Sequence, residues 1–232
     1  RVSGFSLWQV LPLGPTHSDR SPYLSLSAHA GNPELISVEE ILKDSGLQRS
    51  WLSERLKDES VFSSEHLVSD WADDFDNNQL DGFQAFHQTH AHWLDDYALF
   101  MAARSQFNHL PWWQWPHDLR DREPAALNRL KSASAAQISV YQLEQFLFYR
   151  QWQAIRTLAN ENGIEIFGDM PLYVAHDSVD VWTNRSLFAL DDDGEVALQA
   201  GVPPDAFSET GQLWGNPVYN WPAHEASGFQ WW

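Results

Sequence analysis

Two apolar runs about 150 residues apart, with a helical pattern almost throughout residues 38–162 between them, most constrain what this chain can fold into. Leu-Trp-Gln-Val-Leu-Pro-Leu at residues 7–13, closed by Gly14 and Pro15, reads as a strand buried on both faces. Ile-Glu-Ile-Phe-Gly-Asp at residues 164–169 reads as a second such strand, and Asn162-Gly163 ahead of it stops a helix. A crossover between parallel strands needs little more than one helix and its loops. The far larger interval here predicts a helical subdomain inserted between the strands. Two strands cannot close a sheet by themselves, so the expected class is α/β, a partial barrel with a large helical insertion. The expected division is a barrel strand and substrate loop over residues 1–36 and the helical insertion over residues 37–138. Residues 139–232 then carry a barrel helix, the next strand and a lid loop. Both ends of the chain read as cut.

Within the insertion, residues 38–56 carry a mixed amphipathic stripe. Residues 82–101 place Phe83, Phe86, His90, Trp93, Leu94, Tyr97 and Phe100 at three- and four-residue steps, one face of a helix. Residues 139–160 repeat the pattern with Val140, Leu143, Phe146 and Leu147. Residues 188–198 read as a small hairpin around an Asp-Gly turn. Residues 201–219 show no helical or strand period, yet combine turn residues, aromatics, amides and a carboxylate. A segment of that length and composition is more often a ligand-facing lid than a connector.

Charge narrows the partners: 14 basic against 32 acidic residues give a net −18, which repels nucleic acid and anionic membrane surfaces. No apolar run approaches the roughly 20 residues of a membrane-spanning helix, and no signal-like segment opens the chain. Without cysteine there is no disulfide framework or thiolate metal site, which favours the cytoplasm. Thirteen tryptophans exceed what a core of this size normally uses; most must still be core, but exposed rings would make stacking platforms for sugars.

Asp169 stands at the C-terminal end of the second strand, where barrels present binding groups; the alternative is a cap for the next turn. Ser21-Pro22-Tyr23 follows the first strand at the same end, with Tyr23 either a sugar-facing ring and hydroxyl or an ordinary buried tyrosine. Asp177 and Asp180 are candidate caps for the turn at Val181-Trp182, Asp180 the better one. His87, His90 and His92 lack metal-ligand spacing, and Asp191 to Glu195 lacks the alternation of a calcium loop. No phosphate-cradling loop, nucleophile elbow or cysteine nucleophile occurs.

In collinear order, residues 7–16, 21–23, 30–33, 93–100, 145–152, 168–175, 180–182 and 200–219 resemble the 4-α-glucanotransferases, glycoside hydrolase family 77. The resemblance implies a (β/α)8 TIM barrel, of which residues 7–13 and 164–169 would be the second and third strands. It implies transfer of α-1,4-linked segments between maltodextrins, or starch-derived α-1,4-glucan, with no metal or organic cofactor. It assigns substrate contacts to Ser21, Tyr23 and Asp169, to Pro203, Asp205 and Phe207 in the closing loop, and to Gln212, Trp214 and Asn216 beside it. One departure is the stretch at residues 16–20, which lacks the Gly-rich turn expected before Ser-Pro-Tyr. The implied mechanism is retaining double displacement by two carboxyl groups about 5–5.5 Å apart. The family's nucleophile follows an R-x-D-H pattern, and none occurs here; the catalytic carboxylates are expected beyond Trp232, leaving this chain inactive alone. Two alternatives stay open: a hydrolase of the α-amylase clan, and a non-catalytic glucan-binding module. Oligomeric state is not legible.

Overall fold

The computed structural model describes residues 4–43 and 81–232. The first apolar run forms β1 (Leu7–Gln9), followed by a long turn-rich loop and α1 (Val38–Lys43). The remainder of the stripe expected over residues 38–56 lies outside the described residues. Helix α2 (Phe83–Gln106) leads through the short α3 (His117–Arg120) and α4 (Pro124–Ala133) to α5 (Ala135–Glu161). Helix α5 feeds β2 (Glu165–Phe167). After it come α6 (Val179–Thr183), a hairpin of β3 (Gln199–Val202) and β4 (Gln212–Pro217), and α7 (Trp221–Ala226).

Strands β1 and β2 are parallel neighbours with Leu7 opposite Glu165 and Gln9 opposite Phe167. The ladder extends through Glu165 N–H to Ser6 C=O at 2.8 Å and Val10 N–H to Phe167 C=O at 2.9 Å. Their faces are not buried as the apolar runs suggested: Leu7 is 54% and Phe167 55% exposed. Among the described residues this sheet has only two strands, so no third strand flanks it.

The core lies instead on the long helices. Phe83, Phe86, Leu94, Ala98 and Ala102 of α2 meet Val140, Leu143, Phe146 and Leu147 of α5, the faces that the three- and four-residue steps predict. Fully burying each such Leu or Phe contributes about 1.5–3 kcal/mol. Tyr97, Leu99, Phe100 and Ala103 face a second cluster built on Trp112, Trp115 and Trp182. Helix α2 is therefore apolar nearly all round at this level, the signature of a helix enclosed on several sides. Three of the tryptophans are core in the ordinary sense, and Arg122 lies 4.3 Å over the Trp182 ring.

The loop between β1 and α1 is fixed at two points by amides on α5. Gln145 accepts the Gly31 N–H at 2.7 Å and donates to the Gly31 carbonyl at 2.9 Å. Gln151 makes the same pair of bonds to Ser37, both at 2.7 Å. Gly31 is required there, because a Cβ would sit 2.0 Å from the Phe148 ring. Gln145→Ala strips both partners from a buried peptide group and is expected to destabilise the fold by about 2–3 kcal/mol, read from urea unfolding.

Two local expectations are corrected. Asp180 does not cap α6: Ser178 does, its Oγ accepting the Val181 N–H at 3.3 Å. The Asp180 carboxylate is buried and accepts the Ala28 N–H at 2.7 Å, stapling the loop after β1 to the start of α6. Burial raises its pKa, and the Ala28 N–H and nearby His29 pull it back. Asp177 is not a cap either, and pairs with Arg104 on α2.

The stretch at residues 201–219 is likewise not aperiodic loop but mostly the β3–β4 hairpin, antiparallel with an irregularity between Gln199 and Gly201. Its strand pattern is hidden by glycine. A Cβ on Gly201 would lie 2.3 Å from the Gln212 carbonyl, and Gly211 turns the chain at φ +75°. Residues 188–198 form a single bridge, Leu190 to Val196, closed by Asp191, whose Oδ1 accepts the Asp193 and Glu195 N–H groups.

Candidate functional site

Parallel pairing of β1 and β2 puts the loops that follow them at the same end of the sheet. From these loops Tyr23 Oη donates to Asp169 Oδ2 at 2.9 Å, across 146 positions of sequence. The phenol pKa is raised, first by this bond to a carboxylate and then by desolvation, so the proton stays on oxygen at neutral pH. Both residues line a cavity of about 690 Å³. Asp169 is the one carboxylate among its described lining residues, and most of the remaining described wall is aromatic or small.

The other candidate residues are placed differently. Ser21 N–H is held by Asp19 Oδ1 at 3.1 Å, and Ser21 does not line the cavity. Pro203, Asp205 and Phe207 sit at the exposed tip of the hairpin, where Asp205 Oδ1 accepts the Phe207 and Ser208 N–H groups at 2.8 Å each. Phe207 is 95% exposed, with no protein contact holding its ring. Gln212 Oε1 accepts the Trp214 indole N–H at 3.0 Å, and Trp214 lies 6.2 Å from the ring of Tyr173, a cavity residue. Asn216 is buried and donates to the Val174 carbonyl at 2.8 Å, tying the base of the hairpin to the loop after β2. The structure thus joins Tyr23 to Asp169 and hangs the hairpin from the same loop, leaving its tip free.

Sequence reasoning missed the far wall of the cavity: His29 from the loop after β1, His90 and Trp93 from α2, and Tyr149 and Trp152 from α5. The excess of tryptophan was the only signal pointing there. Among the described residues no group of three or more His, Asp or Glu side chains is arranged to hold a metal ion. None of the described helices is long and apolar enough to cross a membrane.

Chemically, the arrangement suits a neutral, polyhydroxylated ligand. Ring faces cover its C–H surfaces, while the phenol–carboxylate pair takes hydroxyl hydrogen bonds. One carboxylate can bind and orient such a ligand; two-carboxylate glycosidic cleavage needs a second.

Known proteins bear on this directly. The 4-alpha-glucanotransferase family profile of glycoside hydrolase family 77 matches residues 1–232. The chain is 45% identical to a 4-alpha-glucanotransferase of Synechocystis sp., covering 98% of this chain and 48% of that protein. It is 42% identical to the Thermus thermophilus 4-alpha-glucanotransferase, over all of this chain and 48% of that one. Among solved structures, an amylomaltase from Streptococcus agalactiae in complex with acarbose superposes with a TM-score of 0.85 at 34% identity, over 98% of this chain and 48% of that chain. The fold is accordingly of the α/β type. The chain spans about half the length of the curated relatives it matches. Over its whole length, this chain belongs to the 4-α-glucanotransferase family, glycoside hydrolase family 77.

Proposed function

We propose that this chain is the part of a 4-α-glucanotransferase that grips α-1,4-glucan, in a protein that transfers glucan segments between maltodextrins by retaining double displacement. The observation that carries the reading is the Tyr23–Asp169 pair, set at the C-terminal ends of adjacent parallel strands inside an aromatic-walled cavity. The acarbose complex of the related amylomaltase supports a saccharide as the ligand. In this proposal β1 and β2 are the second and third strands of a (β/α)8 barrel, whose further strands cover the exposed Leu7 and Phe167 side chains. The same reading divides the chain at residues 1–36, 37–138 and 139–232, and sets the reaction in the cytoplasm.

Retaining transfer needs a nucleophile and an acid/base carboxyl about 5–5.5 Å apart. Both are assigned to residues outside this sequence, which has no R-x-D-H segment. Asp169 is assigned to substrate hydroxyls, and the exposed hairpin tip to covering the bound glucan so that a sugar hydroxyl, not water, intercepts the intermediate.

The test is incubation of the full-length protein with maltotriose. A ladder of longer dextrins with no net gain of reducing ends is the expected result; a rising reducing-end count would mean hydrolysis. The 232-residue chain alone is expected to bind maltodextrin without turning it over. Turnover by the isolated chain would overturn the assignment of the carboxylates.

A further inference from the structure

The histidine and tryptophan part of the cavity wall has an order of its own. The His29 and Trp93 rings lie nearly parallel, 16° apart with centroids 6.1 Å from one another, and His92 stands edge-on to His29 at 6.2 Å. The Trp93 indole N–H donates to His90 Nδ1 at 3.2 Å. That bond fixes the ring plane of a half-buried tryptophan and requires His90 to be neutral, with its proton on Nε2. His90 is itself wedged between Phe86, at 4.6 Å, and Tyr149 of α5, at 5.0 Å. Trp93 packs against both core clusters but is only half-buried, shares one side with an exposed imidazole and borders a cavity of about 690 Å³, a size that accommodates a ligand of several rings.

Resting on the transferase reading, we propose that Trp93, oriented by His90 and flanked by His29, forms a further glucosyl-binding platform in the same cleft as Tyr23 and Asp169. This platform favours longer maltodextrins over short ones. Tyr23, Asp169, His29 and Trp93 line one cavity, so a chain of sugars held at Tyr23–Asp169 has the Trp93–His29 pair within the same cleft. The platform also carries a proton dependence. Desolvation, and after it the neighbouring His92, lowers the pKa of His90, so the acceptor nitrogen is free at neutral pH. Among the described residues, the titratable groups that face it are His92 on its own helix and Tyr149 on α5, and neither is a carboxylate. Protonation in acid places an N–H against the indole N–H and releases the ring.

The test compares kcat and KM of the full-length protein for maltotriose and maltoheptaose, in wild type and in Trp93→Ala, His29→Ala and His90→Asn. For Trp93→Ala the maltoheptaose KM is expected to rise about tenfold and the maltotriose KM less than threefold. His29→Ala, an exposed position that tolerates truncation, is expected to show the same bias at about threefold. In the wild type the maltoheptaose KM should climb as pH falls below the ordinary histidine range, because the pKa of His90 is lowered. His90→Asn presents an amide oxygen to the indole at every pH and should flatten that climb. Equal effects on both substrates, no effect on either, or an undiminished acid climb in His90→Asn would overturn the platform. If the wild-type protein shows no transfer, the transferase reading fails separately. Calorimetric binding of maltoheptaose then judges the platform, and equal affinity in wild type and Trp93→Ala refutes it.

Discussion

Asp169→Asn in the full-length protein is expected to lower kcat/KM for maltotriose disproportionation about 100-fold, the equivalent of one charge-assisted hydrogen bond lost in the transition state. Tyr23→Phe, which keeps the ring and removes only the hydroxyl, should lower it about tenfold. The two effects should not add. Tyr23 Oη is bonded to Asp169 Oδ2, so each variant already disturbs the partner's orientation, and the double variant should resemble Asp169→Asn alone. Melting temperature should hardly move, because Tyr23 is 46% exposed and the bond lies at the surface of the cavity. A fall in stability matching the fall in rate would show that the pair holds the loops together and has no direct role with substrate.

The second large effect concerns stability and its dependence on pH. Glu144 on α5 is 2% exposed, its Oε1 has no hydrogen-bond partner, and burial pushes its pKa up to about 8. Arg104 and Glu144 line a second cavity, together with Tyr97 and Tyr141, but the Arg104 guanidinium pairs with Asp177. Tyr97, fully buried with its hydroxyl unpaired, is a further neighbour; burial and then Glu144 raise its pKa. The folded state therefore holds a proton that the unfolded chain releases at its ordinary carboxylate value. Stability from this group is complete below about pH 4.5 and is lost as pH rises through about 8. At about 1.4 kcal/mol per unit, the loss between pH 4.5 and 7 is roughly 3 kcal/mol. Glu144→Gln should remove that slope and unfold at higher urea concentration than wild type at pH 7.5, with the order narrowing or reversing at pH 5. Parallel pH profiles for the two proteins would show that Glu144 is hydrated or paired in solution.

Legibility in the sequence followed the range of the interaction. The long helices announced themselves because one face of each meets the other, and a 3.6-residue period records that directly. The β1–β2 pairing was legible from two apolar runs, although the exposure of their faces was not, since it depends on which strands lie alongside. The hairpin escaped detection because Gly201, Gly211 and Gly215 interrupt the alternation that marks a strand, while supplying the backbone freedom that the hairpin needs. Asp180 was misassigned because its partner, Ala28, is 152 positions away, whereas a cap is a purely local reading. Within the site, Asp169 and Tyr23 could be chosen from their places after the strands, but the bond between them could not. His90 and Trp93 fell on a stripe that reads as core, and only the cavity beside them distinguishes a ligand-facing ring from a buried one.

The paired amide clamps of Gln145 and Gln151 bear on how tightly the cleft can bind. A substrate-facing loop that is loose in the free protein must surrender backbone freedom when ligand arrives, and affinity falls by that amount. Here the segment from Gly31 to Ser37 is immobilised by two glutamines on one rigid helix, before any sugar is present. The entropy of ordering that loop is settled when α5 docks. Under the proposed function, a ligand beside Gly31 meets a loop already set in place, and closure is assigned to the hairpin.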